Sequence, residues 1–219
     1  MAWVEDNRRT VARLSSGRLG YVHLPDTSIS GFESFNRYYF AQADKAGMVV
    51  DERFNHGGSV DDYFVEAMTR PLRSMWTNRY GKDFPSPMMQ VYGPKVLLIN
   101  ECSGSGGDYF PWHFRQARVG PLIGKTTWGG LVGIWSVPLL IDGGYVTSPG
   151  FAFYNPNGTW DVENHGVEPD IDVELDPYLW RQGHDAQLER ATREALKLVA
   201  STPKPTIKKP AYPDKTRLQ

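Results

Sequence analysis

The chain has 219 residues, with 24 Lys plus Arg against 25 Asp plus Glu and a formal net charge of -1. That length suits one α/β domain able to bury a core without staples, and the balanced charge leaves no electrostatic footprint for nucleic acid or an anionic membrane. One cysteine, Cys102, excludes an internal disulfide framework and any multi-cysteine metal site.

In chain order, residues 1–17 carry acids and bases within the first nine positions and no apolar core. They read as a lead-in, the end of a preceding domain or a linker, and not as a signal peptide. No apolar run approaches the roughly 20 residues of a membrane span, so a soluble, cytoplasmic protein is expected. Residues 18–24 (RLGYVHL) read as a strand. Ser30 and Glu33 have capping-box spacing, and Phe32, Phe35, Tyr39 and Ala43 follow at helical intervals. Residues 48–54 (MVVDERF) read as a buried strand and Asn55–Gly58 as a turn. Ser59 then caps a helix with Val60, Phe64, Val65 and Met68 on one side. Residues 70–93, proline-bearing and of mixed polarity, read as a long loop.

KVLLIN (95–100) is a strand that runs into a Ser/Gly segment and a short helix near 108–118. Residues 121–124 and 131–137 read as strands, 139–148 as a hairpin turning at Asp142-Gly143-Gly144, and 151–154 as extended chain. Asp185–Ala200 is an amphipathic helix with Leu188, Ala191, Ala195, Leu196 and Val199 inward. Residues 201–219 form a Pro/Lys-rich tail, either disordered or an arm lying on a neighbour. The alternation of strand and helix predicts an α/β domain with a partly parallel sheet.

Two turns could carry chemistry. In ECSGSGGD the small neighbours of Ser105 allow a sharp turn after a strand, and the Gly106 amide falls at a helix N-terminus, where donors are unpaired and negative charge is favoured. A nucleophile beside an oxyanion donor serves acyl transfer. The second turn, RFNHGG, also follows a buried strand, and its glycines let a backbone amide approach a ligand. Side by side at the ends of parallel strands, the two turns can aim their amides at one point. Plain flexible turns account for the same residues taken singly.

The order GYVHLPD, VVDERFNHGGS, KVLLINECSGSGGD, LIGKTTWGGLVGIW, LLIDGG and DVENHGVEPDIDVE resembles the C-terminal catalytic subdomain of the tricorn protease family, within the clan of tail-specific, C-terminal-processing serine peptidases. The resemblance covers roughly residues 18–200. It implies a Clp/crotonase-like α/β core, with a mixed, partly parallel sheet flanked by helices. It makes Ser105 the nucleophile, the amides of Gly58 and Gly106 the oxyanion hole, and Glu163 the distal acid of the charge relay. His56, Gly57 and Gly58 would line the substrate, and Gly133, Ile134 and Trp135 would pair with it as an added strand. Peptides are the implied substrates and a homo-oligomer the implied assembly, with no cofactor. No metal is implied either, since the five histidines show no ligand spacing such as H-E-x-x-H.

Two departures bear on mechanism. Tail-specific relatives use a Ser-Lys dyad, but Gly130 stands where that lysine would be and Lys125 lies outside the motif. The tricorn type uses a histidine held by a second serine, both in an earlier subdomain that precedes a PDZ domain, so the base is expected from outside this chain and the chain alone is expected to keep only a small fraction of activity. Among resident histidines, His56 adjoins the oxyanion turn. His23 and His184 read as structural or surface residues, and His165 as a turn residue. His113 lies about two helical turns, roughly 12 Å, beyond Ser105. The second departure is Trp76, which stands where members that cut after basic residues carry an aspartate, so an apolar or aromatic P1 residue is expected. Cys102 is expected to be an inert core thiol. A peptide-binding module without catalysis and a crotonase-type acyl-CoA enzyme remain as alternatives. Labelling of Ser105 by a fluorophosphonate separates the peptidase from both.

Overall fold

The computed structural model describes residues 2–135, 138–203 and 207–213. Its centre is a five-stranded, all-parallel sheet of β1 (Leu19–His23), β2 (Gly47–Asp51), β5 (Lys95–Ile99), β6 (Leu122–Gly124) and β9 (Ile171–Asp172), hydrogen-bonded in that order. Every residue of β2 and β5 is buried. That is why both read as unbroken apolar runs: each lies between two strands and under helices on both faces.

One face carries α2 (Ile29–Tyr38), α3 (Asp61–Thr69) and α4 (Gly106–Gln116). Val22, Val50 and Leu97 pack there with Phe35, Phe64, Phe110 and Phe114. The other face carries α1 (Ala2–Leu14) and α6 (Ala186–Ser201), with Val11, Leu188, Ala191 and Ala195 on Leu19, Val49, Val96 and Leu98. The antiparallel component lies in two separate ribbons. One is β3 (Ser74–Trp76) with β4 (Phe84–Ser86), and the other is β7 (Gly133–Trp135) with β8 (Ser148–Phe151). A short helix, α5 (Pro177–Arg181), precedes α6.

Several elements differ from the sequence reading. Residues 2–14 form a helix where only a lead-in was read. Its Asn7 side chain donates to the Tyr21 hydroxyl, and the Arg53 guanidinium sits 5.5 Å over the Trp3 ring. The Ser30–Glu33 capping box is not formed, because the Asp26 carboxylate accepts the Ser28 and Gly31 amides instead. Val60, not Ser59, is the N-cap of α3. The helix after Ser105 starts at Gly106. The 70–93 loop holds the β3–β4 ribbon. The hairpin read over 139–148 has its turn, with Leu140 N–H donating to Gly144 O, but its arms are β7 and β8, farther out. Of the strand read over 131–137, residues 136–137 lie outside the described residues. The tail arm rests on this chain's own ribbon: Ile207, Lys209 and Tyr212 share a cavity with Met75 and Trp76, and Lys209 lies 3.5 Å from Asp83.

A buried ion pair network fixes α6 to the sheet. Arg53, wholly buried, donates to Asp51 and to both oxygens of Asp185, the N-cap of α6. Burial alone would raise the Asp51 carboxyl, but the Arg53 charge overrides it and holds that carboxyl below its ordinary range.

Candidate active site

The site forms where the chain leaves β1, β2 and β5 at their C-terminal ends, the usual crevice of a parallel sheet. Two asparagines stitch these exits together. The Asn100 side chain accepts the Phe54 amide, tying the β5 exit to the β2 exit. Asn55 donates to Leu24 O, accepts the Gly57 amide on its side chain, and accepts the Gly104 amide on its carbonyl. Thr27 then pairs like a strand with the glycine turn: its N–H donates to Gly57 O, and the Ser59 N–H donates to Thr27 O.

Both glycine turns need glycine. A Cβ on Gly57 would lie 2.7 Å from Ser105 Cβ and 3.1 Å from Gly106 N. A Cβ on Gly106 would lie 2.8 Å from Gly58 N and 2.1 Å from Thr27 Oγ1. The turns therefore pack backbone to backbone, with the Gly58 and Gly106 amides beside each other. Neither amide donates a hydrogen bond among the described residues. Ser105 stands at the corner with φ 58 and ψ -119, a left-handed conformation for a residue with a Cβ. Such strain costs on the order of 1–3 kcal/mol and persists only where the surroundings over-determine it.

Asp108 does much of that work. It is buried, and its carboxylate accepts the amides of Ser105 (2.9 Å), Gly129 (2.7 Å) and Gly130 (3.0 Å). The Ser105 amide also donates to Gly130 O. Burial raises the Asp108 carboxyl, and the hydrogen bonds from Thr127 and these amides pull the other way. The strap continues to Glu163, whose Oε2 accepts the Leu131 and Val132 amides at 2.6 Å each. Glu163 sits half-buried between Val162 and Asn164, both left-handed, and the Asn164 amide donates to Gly129 O. Glu163 is thus one residue along the strap from the group that holds Ser105. The Trp128 indole, 68% exposed, lies against Gly104 and Gly130.

Ser105, Gly58 and Gly106 line one cavity of about 360 Å³, together with Ser59, Asp61, Asp62, Tyr109, Leu131 and Phe151–Phe153. No histidine lines it among the described residues. His56 is exposed beside the turn; His23 contacts Trp3 and Arg53 O. His165 and His184 are exposed near Asp161 and Glu189. Lys125 is paired with Asp172 and Glu174. Trp76 is not brought to this cavity; it lies on the β3–β4 ribbon against Phe84. Gly133, Ile134 and Trp135 form β7, whose partner β8 reaches the cavity through Phe151. The β7–β8 ribbon has two strands, so β7 has one edge unpaired among the described residues. Cys102 is exposed, contrary to expectation, because residues 101–102 form an outward turn after β5.

Sequence reasoning missed Asn55, Asn100, Trp128 and the Asp61–Asp62 wall. Asparagine one to four residues past a buried strand was the available signal for the first two.

Comparison with known proteins sets the class: the match is to the family model described as Peptidase family S41, over residues 18–173. The chain belongs to that family. It is 40% identical over 195 residues to the Tricorn protease of Thermoplasma volcanium, covering 89% of this chain and 19% of that protein. It is 42% identical over 197 residues to the Tricorn protease homolog of Saccharolobus solfataricus, covering 89% of this chain and 18% of that one. The crystal structure of the tricorn protease superposes with a TM-score of 0.87 at 37% identity, over 91% of this chain and 20% of that chain. The photosystem II D1 C-terminal processing protease shares the fold, with a TM-score of 0.53 at 21% identity over 78% of this chain and 46% of that chain. The chain spans about a fifth of the length of the tricorn relatives it matches.

Proposed function

We propose that this chain is the nucleophile-bearing part of a tricorn-like serine endopeptidase, with residues 18–200 as its catalytic subdomain. Ser105 attacks a peptide carbonyl, and the amides of Gly58 and Gly106 hold the oxyanion that develops. The observation that carries this reading is a strained serine packed against two neighbouring amides that donate to nothing among the described residues. Backbone donors left unpaired at a strained corner are costly, and an incoming oxyanion satisfies both. With no histidine in the cavity, the base comes from the rest of a longer protein, as the length of the relatives suggests. Glu163, whose Oε2 is held by the strap, orients that base with Oε1. The edge of β7 left unpaired among the described residues receives the peptide as a third strand, and His56–Gly58 line the substrate. Asp61 and Asp62 give the cavity a negative wall, which favours a cationic P1 side chain over the apolar one expected from Trp76.

The test is labelling by a fluorophosphonate. Ser105 is labelled stoichiometrically once an upstream histidine-bearing segment of the full-length protein is supplied, and the Ser105→Ala variant is not labelled. Peptide binding with no labelling under either condition would replace this reading with a binding module.

A further inference from the structure

Folding brings His113 to two side chains that lie 52 and 51 positions earlier in the sequence. Asp61 and Asp62 open α3, and His113 lies on α4 two turns beyond Ser105. Their ligand atoms all lie within 4.8 Å of one another. His113 Nδ1 is 3.2 Å from Asp62 Oδ1 and 3.9 Å from Asp61 Oδ2. Three donors around a tetrahedral zinc-sized ion, with bonds of about 2.0–2.1 Å, stand about 3.3–3.4 Å apart, so the cluster needs only a small closure.

A helix-opening acid pair beside a histidine would ordinarily be a surface ion pair. Two observations argue against that here. The Asp61 side chain is 6% exposed and accepts no hydrogen bond among the described residues, although it lines the cavity and faces His113. His113 Nδ1 is itself closed to solvent and has no hydrogen-bond partner, because its approach to Asp62 has the distance but not the angle of a hydrogen bond. His113 Nδ1 is thus left unsatisfied by the protein beside a mostly buried carboxylate of complementary ligand type, and buried polar groups in native folds find partners.

We propose that Asp61, Asp62 and His113 bind a divalent transition ion of the zinc class, with the fourth position open toward the Ser105 cavity. One nitrogen and two carboxylate oxygens suit zinc and its neighbours better than magnesium or calcium, which take all-oxygen shells. Asp61 and Asp62 are lining residues of that cavity, so the ion occupies its acidic wall. It competes there with any cationic side chain of a ligand. The binding itself is independent of the peptidase reading, and only its consequence for Ser105 rests on it.

The experiment is calorimetric titration of the chelator-treated, untagged chain with zinc chloride at pH 7.5. A Cys102→Ser background removes the exposed thiol as an adventitious ligand. One ion binds per chain. Loss of even an outer-shell partner weakens metal sites about 10–100-fold, so His113→Ala and Asp62→Asn each weaken binding by at least that much. His165→Ala leaves it unchanged. Asp62 is 73% exposed, so its variant does not threaten the fold. Cobalt substituted for zinc gives the visible absorption of a four-coordinate site, lost in the same two variants. No saturable binding, or binding untouched by both substitutions, overturns the inference. Fluorophosphonate labelling is read on the same samples after the upstream histidine-bearing segment is supplied: zinc binding without labelling removes the peptidase reading alone, and labelling without zinc binding removes this site alone.

Discussion

At the scale of single residues, two wholly buried acids near Ser105 fare differently. Asp108 uses its charge, accepting three amides that hold the strained corner. Glu52 does not. It is wholly buried at the exit of β2, and neither carboxyl oxygen has a hydrogen-bond partner among the described residues. Burial, then the charges of Asp108, Asp51 and Asp61, push its carboxyl well above the ordinary range. The folded protein therefore keeps a proton on Glu52 that the unfolded chain gives up. The stabilising effect is complete below about pH 4.5 and is lost as pH rises toward the folded value. Glu52→Gln keeps the shape and removes the titration. We expect it to raise stability at pH 7.5 and to change nothing at pH 4. Denaturant melts at the two pH values check this. A variant less stable at pH 7.5, or equally shifted at both, would contradict it.

At the scale of elements, the site is a junction of three strand exits and two helix starts, and its legibility follows from that. Ser105, Gly58 and Gly106 could be read because backbone contact permits only glycine beside the serine, which leaves a mark in sequence. β2 and β5 could be read because burial on both faces fills them with apolar residues, leaving charge only at Asp51 and Lys95 at their ends. α1 could not: its buried positions are Asn7 and Val11, so its fixing contact is polar and the helix looks solvated. The hairpin was read too narrow because a good turn at Asp142–Gly144 says nothing about how far out its arms pair. The Asp61–His113 cluster had no local spacing to read. The junction also makes a sharp prediction. Gly106→Ala puts a methyl 2.1 Å from Thr27 Oγ1 and 2.4 Å from Gly58 O, so the two turns must part. One lost oxyanion donor costs about 10²–10³-fold in rate. Ser105 labelling should slow at least that much while the far-ultraviolet dichroism stays native. Undiminished labelling would show that the two amides do not act on the serine.

At the scale of the molecule, the described surface is not that of a self-sufficient globule. Large apolar side chains stand exposed through one stretch beyond the cavity: Leu139, Leu140, Ile141, Tyr145, Val146, Tyr154 and Trp160. Apolar patches beyond a few hundred Å² on soluble proteins mark interaction surfaces. The chain covers about a fifth of the length of its tricorn relatives. No helix among the described residues is long and apolar enough to cross a membrane. The isolated chain should therefore self-associate through residues 139–146. Sedimentation velocity is expected to show a concentration-dependent shift from monomer to larger species at micromolar protein. Leu140→Ser with Ile141→Glu should restore the monomer without changing the melting temperature, since neither side chain reaches the core. A chain that stays monomeric at high concentration, or an association that survives the double substitution, would place the missing contacts elsewhere on the surface.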